Sequence, residues 1–155
     1  MNIYLMQHGQ PVPKEKDPNK PLSAQGVEDI HKMAAFLQRA GITVHTIFHS
    51  GKTRARETAE IMASRLTPGS EPEERKGLSP LDDVREVAEK LNQGRKDAMI
   101  VGHLPHLARL TSLLTTGSDT DLVATFQQGG VVCLRPIQEK QGWAIAWMLV
   151  PEMIP

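Results

Sequence analysis

Apolar and polar positions follow two rhythms along this chain, one of strand length and one of helical period. Ile3-Tyr4-Leu5-Met6 is a continuous apolar run that stops at Gln7-His8-Gly9, where Gly9, Pro11 and Pro13 forbid continuation. It reads as a buried strand with His8 on the loop at its end. The stretch from Pro11 to Pro21 is rich in Lys and Pro and too polar for a core. Ser23 can cap a helix whose apolar positions Val27, Ile30, Met33, Ala34 and Leu37 keep helical spacing up to Gly41. Val44 to Phe48 predicts a second strand, and Ser50-Gly51 begins a turn into a helix carrying Arg54, Thr58, Ile61, Met62 and Leu66. Pro68-Gly69 stops that helix.

A charged segment, Glu71 to Lys76, leads to a further helix over about Asp82 to Asn92, and Ala98-Met99-Ile100-Val101 predicts a third buried strand ending in Gly102-His103. Pro105 suits an early position of a helix from His106 to Leu114. Two more strands, Val131 to Arg135 and Ala144 to Val150, complete the chain. Strands and helices therefore largely alternate, which predicts an α/β fold: a mainly parallel sheet with helices on both faces, binding ligands beyond the carboxyl ends of its strands. The 155 residues fit one domain, 1–155, large enough to bury roughly two-thirds of the unfolded surface. No internal repeat and no extended low-complexity tract interrupts it.

Composition narrows the partners. Lys plus Arg and Asp plus Glu both number 18, so no global field attracts nucleic acid or an anionic membrane, and any anion must be held locally. Nothing approaches the ~20 apolar residues of a membrane span. The single cysteine, Cys133, lies in the apolar run Val131 to Leu134, cannot form an internal disulfide and suits a reducing cytoplasm. The start of the chain lacks the basic and apolar regions of a signal peptide, so the expected location is cytoplasmic.

Gln7-His8-Gly9, Ser50 to Arg54 and Gly102-His103 each follow an inner strand, so all three are expected along one sheet edge. Two imidazoles, a guanidinium and a helix N-terminus with free N–H groups would meet there, a set suited to phosphate. No Walker loop competes for that role.

At this point the residues carry a family resemblance. Ile3 to Gly9 resembles the Arg-His-Gly signature of the histidine phosphatase superfamily, Ser50-Gly51-Lys52-Thr53-Arg54-Ala55-Arg56-Glu57-Thr58-Ala59 its second motif, and Val101-Gly102-His103-Leu104-Pro105 its third. The short length, Lys20-Pro21-Leu22-Ser23-Ala24-Gln25-Gly26 and Leu78-Ser79-Pro80 resemble the SixA-like branch of phosphohistidine phosphatases. The similarity runs from Met1 to about His106. It implies a phosphoglycerate mutase-like, three-layer sandwich and a phosphatase needing no cofactor. One departure stands out: the family's first motif opens with an arginine that grips phosphate, whereas this chain has Gln7, which donates a hydrogen bond without charge. That bears on catalytic strength, not on fold.

The resemblance implies that His8 attacks phosphorus and becomes a phosphohistidine that water hydrolyses, a role a neutral imidazole can fill. Arg54 would hold the phosphoryl oxygens through its planar fork, and His103 would donate to the phosphoryl group and stabilise its transition-state charge. Gln7, Gly9 and Lys20 are the further phosphate-binding candidates. Lys20 stands where the branch carries a basic residue, although a solvated loop lysine is an equal reading. Asp82 and Asp83 are candidates for a general acid, and a helix N-cap is the alternative job for one of them. Arg56 reads as a solvated helix residue, and His31, His45 and His49 as structural or surface residues. His103 and His106 could suggest a zinc pair, but no third ligand motif accompanies them, so no metal is expected.

The expected partner is a phosphohistidine-bearing protein or a small phosphorylated molecule, not nucleic acid or membrane. A weakly active or non-catalytic phosphate-binding module is the rival reading, favoured by Gln7 and opposed by the retained His8, Arg54 and His103. A small-molecule phosphomonoesterase is the next. A mutase must shield its phosphorylated intermediate from water, and the chain has no long insertion to serve as a lid.

Overall fold

The computed structural model describes residues 1–155. Six strands, β1 (Ile3–Gln7), β2 (Thr46–His49), β3 (Glu73–Glu74), β4 (Ala98–Gly102), β5 (Val131–Pro136) and β6 (Trp143–Leu149), form one sheet in the order β3-β2-β4-β1-β5-β6. The first four are parallel; β5 runs antiparallel to β1, and β6 antiparallel to β5. The helices are α1 (Ala24–Arg39), α2 (Thr53–Leu66), α3 (Arg85–Gln93) and α4 (His106–Thr116), with a 3-10 turn at Pro151–Met153.

Strand alternation distributes β1 between two cores. Tyr4 and Met6 pack with Ile30, Met33, Leu37, Ala59 and Met62 under α1 and α2. Ile3 and Leu5 pack with Val87, Leu91, Leu107 and Leu110 under α3 and α4. Both sheet faces are therefore covered, as the nearly unbroken apolar runs of β1 and β4 require. Cys133 is buried and unpaired on the first face.

The caps follow local chemistry. The Ser23 hydroxyl accepts from Gly26 N–H at 3.0 Å and starts α1. Gly26 is forced by close approach, since a Cβ there would collide with the Gln10 carbonyl oxygen. That contact presses α1 against the loop that follows His8.

Several predicted boundaries shift. β2 begins at Thr46, not Val44, because Val44 pairs with the end of α2 through the Leu66 carbonyl. The charged segment 71–76 contains β3, which pairs with the edge of β2 despite two exposed glutamates. α3 starts at Arg85 and not at Asp82, and Val84 occupies the cap position without a side-chain bond. Neither aspartate caps it formally. Asp82 accepts from Ser79 N–H (2.9 Å) and Asp83 from Arg85 N–H (2.9 Å), which shapes the turn ahead of the helix. Pro105 stands one residue before α4. No helix is long and apolar enough to cross a membrane.

Candidate active site

The parallel strands β1, β2 and β4 all end at the same sheet edge, and the chain stays tied there past the last strand residue. His8 N–H donates to the Gly102 carbonyl at 3.1 Å, which fixes the start of the His8 loop beside the start of the His103 loop. Gly9 N–H donates to the Thr58 hydroxyl (3.0 Å), and that hydroxyl donates to the Arg54 carbonyl (2.7 Å). The first turn of α2 is thereby strapped to the same loop.

His8 Nδ1 lies 2.7 Å from the Gly9 carbonyl oxygen. A carbonyl only accepts, so Nδ1 carries the proton and Nε2 keeps its lone pair. Arg54 Nε donates to that Nε2 at 3.2 Å. Burial, outweighing the Gly9 bond and assisted by the nearby charges of Arg54 and Lys20, holds the His8 pKa down at about 4. The ring is neutral at physiological pH.

The His103 ring lies 5.0 Å from that of His8, centroid to centroid. Its Nε2 is 2.6 Å from the Ser50 hydroxyl, while its buried Nδ1 has no hydrogen-bond partner. Burial first, then His8, Arg54 and Lys52, depress its pKa to about 3. Every charged group acting on the two rings is a cation: Arg54 on both, Lys20 on His8, Lys52 on His103. A chain of zero net charge thus builds a local positive field where an anion would sit.

α2 adds its N-terminus. Lys52 occupies its cap position with no side-chain bond, leaving first-turn N–H groups open to an anion. Gly51 makes the turn with φ +88°, a left-handed conformation that favours glycine, while the Glu74 side chain beside it is exposed and free to move.

The fold therefore brings His8, Arg54 and His103 together. Gln7 sits beside them at the end of β1, but its Oε1 is buried without a partner and its side chain lines a groove on the α1 side. Lys20 adopts a left-handed backbone (φ 48°) and reaches His8 through its charge. No hydrogen bond or ion pair links Asp82 or Asp83 to His8, Arg54 or His103; Asp82 accepts from Ser79 N–H and its charge acts on His106, and Asp83 accepts from Arg85 N–H. His106 is buried in α4, and no three His, Cys, Asp or Glu side chains cluster as a metal site would require. Ser50, Lys52 and Thr58 are site neighbours that sequence reasoning passed over. All three lie in the same ten-residue segment as Arg54, but their contacts depend on which strands are adjacent.

Residues 3–82 match the family model described as histidine phosphatase superfamily (branch 1). The chain belongs to the histidine phosphatase superfamily. By family it is a phosphatase. It is 24% identical over 156 residues to the phosphohistidine phosphatase SixA of Escherichia coli (strain K12), covering 97% of this chain and 94% of that one. The structure of the protein histidine phosphatase SixA complexed with tungstate superposes with a TM-score of 0.87 at 22% identity, covering 100% of both chains. An alpha-ribazole phosphatase from Shigella flexneri gives a TM-score of 0.78 at 14% identity over 97% of each chain. These structures share the histidine phosphatase fold. The segment holding His103 lies beyond the family-model match, and its place in this histidine phosphatase rests on the geometry above.

Proposed function

We propose that this chain is a metal-independent phosphatase that passes the phosphoryl group through His8 and acts on phosphohistidine in proteins. One observation carries the mechanism: His8 is neutral, with Nδ1 tied to its own loop and Nε2 presented to a guanidinium and a second imidazole. Nε2 attacks phosphorus in line, the bond from phosphorus to the leaving group breaks, and water then attacks the phosphohistidine and returns the Nε2 lone pair. Arg54 changes partner during this cycle, from Nε2 to the phosphoryl oxygens. The imidazole of His103 donates a hydrogen bond to the same oxygens. An anionic phosphoryl group beside it raises its pKa from the depressed value of the free site.

Similarity to a protein named for phosphohistidine supports the substrate class. So does the lack of a carboxylate joined to the His8 site, because the imidazole of a phosphohistidine departs readily without a strong acid. A hydrolysis assay on a phosphohistidine protein, a sugar phosphate and an aryl phosphate tests this reading, with His8→Ala as control. The highest kcat/KM is expected for the phosphohistidine protein, and a higher value for the sugar phosphate would reassign the substrate.

Activity is expected to persist in excess chelator, because Arg54 supplies positive charge, and His103 and the α2 N-terminus supply hydrogen-bond donors, where a metal ion acts elsewhere. Loss of turnover in chelator with recovery on adding a divalent ion would refute this.

Gln7 should limit the rate. Losing a charge-assisted donor at a catalytic site costs on the order of a hundredfold, and a flexible lysine such as Lys20 replaces a planar fork incompletely. Gln7→Arg is expected to raise kcat/KM for an aryl phosphate about ten- to a hundredfold, with Lys20→Ala most harmful while Gln7 remains. A neutral or harmful effect in a folded variant would show that the pocket suits an uncharged donor and would favour the binding-module reading.

A further inference from the structure

Beside the His8 site lies a groove of about 600 Å³ to which His8, Arg54 and His103 contribute nothing. Its walls come from the end of β1, the first turns of α1, the segment before β5 and the C-terminal 3-10 turn. The chain has nine glutamines, and five of them, Gln7, Gln10, Gln25, Gln127 and Gln128, line this one groove.

Its composition indicates what it can hold. Only two of its ten lining residues are apolar, the reverse of a small-molecule pocket, where apolar walls carry a few polar groups. Its charged side chains are the carboxylates of Asp29 and Glu152 against the single ammonium of Lys32, so a phosphate gains little there. The groove is nevertheless continuous with the site along the chain: Gln7 directly precedes His8, and Leu104, also in the lining, directly follows His103.

The amides have capacity to spare. Gln25 spends one N–H on Asp29 and Gln10 accepts from Ser23, which leaves the Gln25 oxygen and the Gln10 nitrogen free. Gln7 Oε1 is buried with no partner in the folded chain, a situation that native proteins seldom leave unresolved, and a turn of this side chain toward the groove it lines would let the oxygen accept from a ligand. A carboxamide offers donor and acceptor side by side without charge, and a peptide group offers the complementary pair.

We propose that this groove is the leaving-group subsite, and that it takes the main chain of a polypeptide flanking the phosphorylated residue. The proposal rests on the phosphohistidine reading above. It differs from phosphate recognition, which belongs to the Arg54 side, and it gives Gln7 a role that an arginine would not fill.

Three probes test it: N-acetyl-phosphohistidine amide, p-nitrophenyl phosphate, and a phosphohistidine peptide of about ten residues, which at ~3.4 Å per extended residue outreaches the groove. With glycine at every flanking position of the peptide and N-acetyl-phosphohistidine amide as the short comparator, the two share the scissile bond and differ only in the length of main chain. Peptide kcat/KM is expected to exceed that of the short comparator at least about tenfold, the scale of one or two net hydrogen bonds, mostly through KM. The double variant Gln25→Leu, Gln128→Leu changes two exposed side chains. It should lose that preference while its p-nitrophenyl phosphate turnover and thermal unfolding stay at wild-type levels. Equal kcat/KM for the peptide and the short comparator in the wild type would overturn the groove proposal and leave the phosphohistidine reading standing. Equal loss of peptide and aryl phosphate turnover in the variant would also overturn it. If neither phosphohistidine substrate is turned over while the aryl phosphate is, the phosphohistidine reading fails and the groove proposal falls with it.

Discussion

His8→Ala is expected to lower kcat for an aryl phosphate by about 10⁴-fold or more, as removal of a covalent nucleophile does elsewhere. The expectation follows from the division of labour at the ring. Nδ1 is committed to the Gly9 carbonyl, so the free lone pair stands on Nε2, the atom that faces Arg54. With the ring's pKa near 4, almost every molecule holds that lone pair unprotonated at neutral pH. A proton carrier would need the opposite tuning, with a pKa near the working pH. The same atom should therefore bear phosphate during turnover. Rapid mixing with substrate, quenching without acid to preserve a phosphoramidate, and mass spectrometry should find the label on His8. Label confined to another residue, or near-normal turnover by His8→Ala, would end the covalent mechanism.

Much of this arrangement is legible in the sequence, for a physical reason. A parallel strand buried on both faces must be apolar throughout, so β1 and β4 announce themselves by runs whose ends are sharp. The residues after those ends, His8 and His103, then fall at one sheet edge by topology alone. α1 is equally legible because its cap and its apolar spacing agree. β3 is not: two exposed glutamates carry no strand signal, and only pairing with β2 makes them one. The start of α3, at Arg85, is not marked in the sequence, because Asp82 and Asp83 suit both a cap and the turn before it, and the turn takes both carboxylates.

The site divides along the same line. Arg54 and the two histidines stand out as a cation and two imidazoles placed after strand ends. Ser50 and Thr58 do their work through hydroxyl contacts to distant segments, 2.6 Å to His103 and 3.0 Å to Gly9, which depend on the fold bringing those segments together. The glutamine groove is hidden for a similar cause, since its five amides come from three separate stretches and only the fold gathers them.

The same burial that keeps the two imidazoles neutral should make the fold acid-sensitive well above the range where carboxylates titrate. In the unfolded chain a histidine protonates near pH 6.5, whereas in the folded chain His8 waits until about 4 and His103 until about 3. Between those limits the unfolded state binds more protons than the native one, so stability falls as pH falls; above about 6.5 both states are neutral and nothing is lost. Each ring then costs about 1.4 kcal/mol per pH unit below 6.5, or roughly 2 kcal/mol at about pH 5. The two together cost about 4 kcal/mol, equivalent to a thermal midpoint roughly ten degrees lower for a chain of this size. His49 and His106, both buried and both held below the ordinary histidine pKa by that burial, push in the same direction. Asp119 and Glu86, held as carboxylates by Arg109 and Lys90, are lowered from the ordinary range, so they act in the same direction but only toward the acid end of this window. Thermal unfolding followed from about pH 7 to about pH 5 should show this decline, and His8→Asn or His103→Asn should each flatten it by removing one titrating ring. A midpoint unchanged across that interval would mean that the two imidazoles protonate as easily inside the fold as outside it, and the neutral nucleophile would lose its footing.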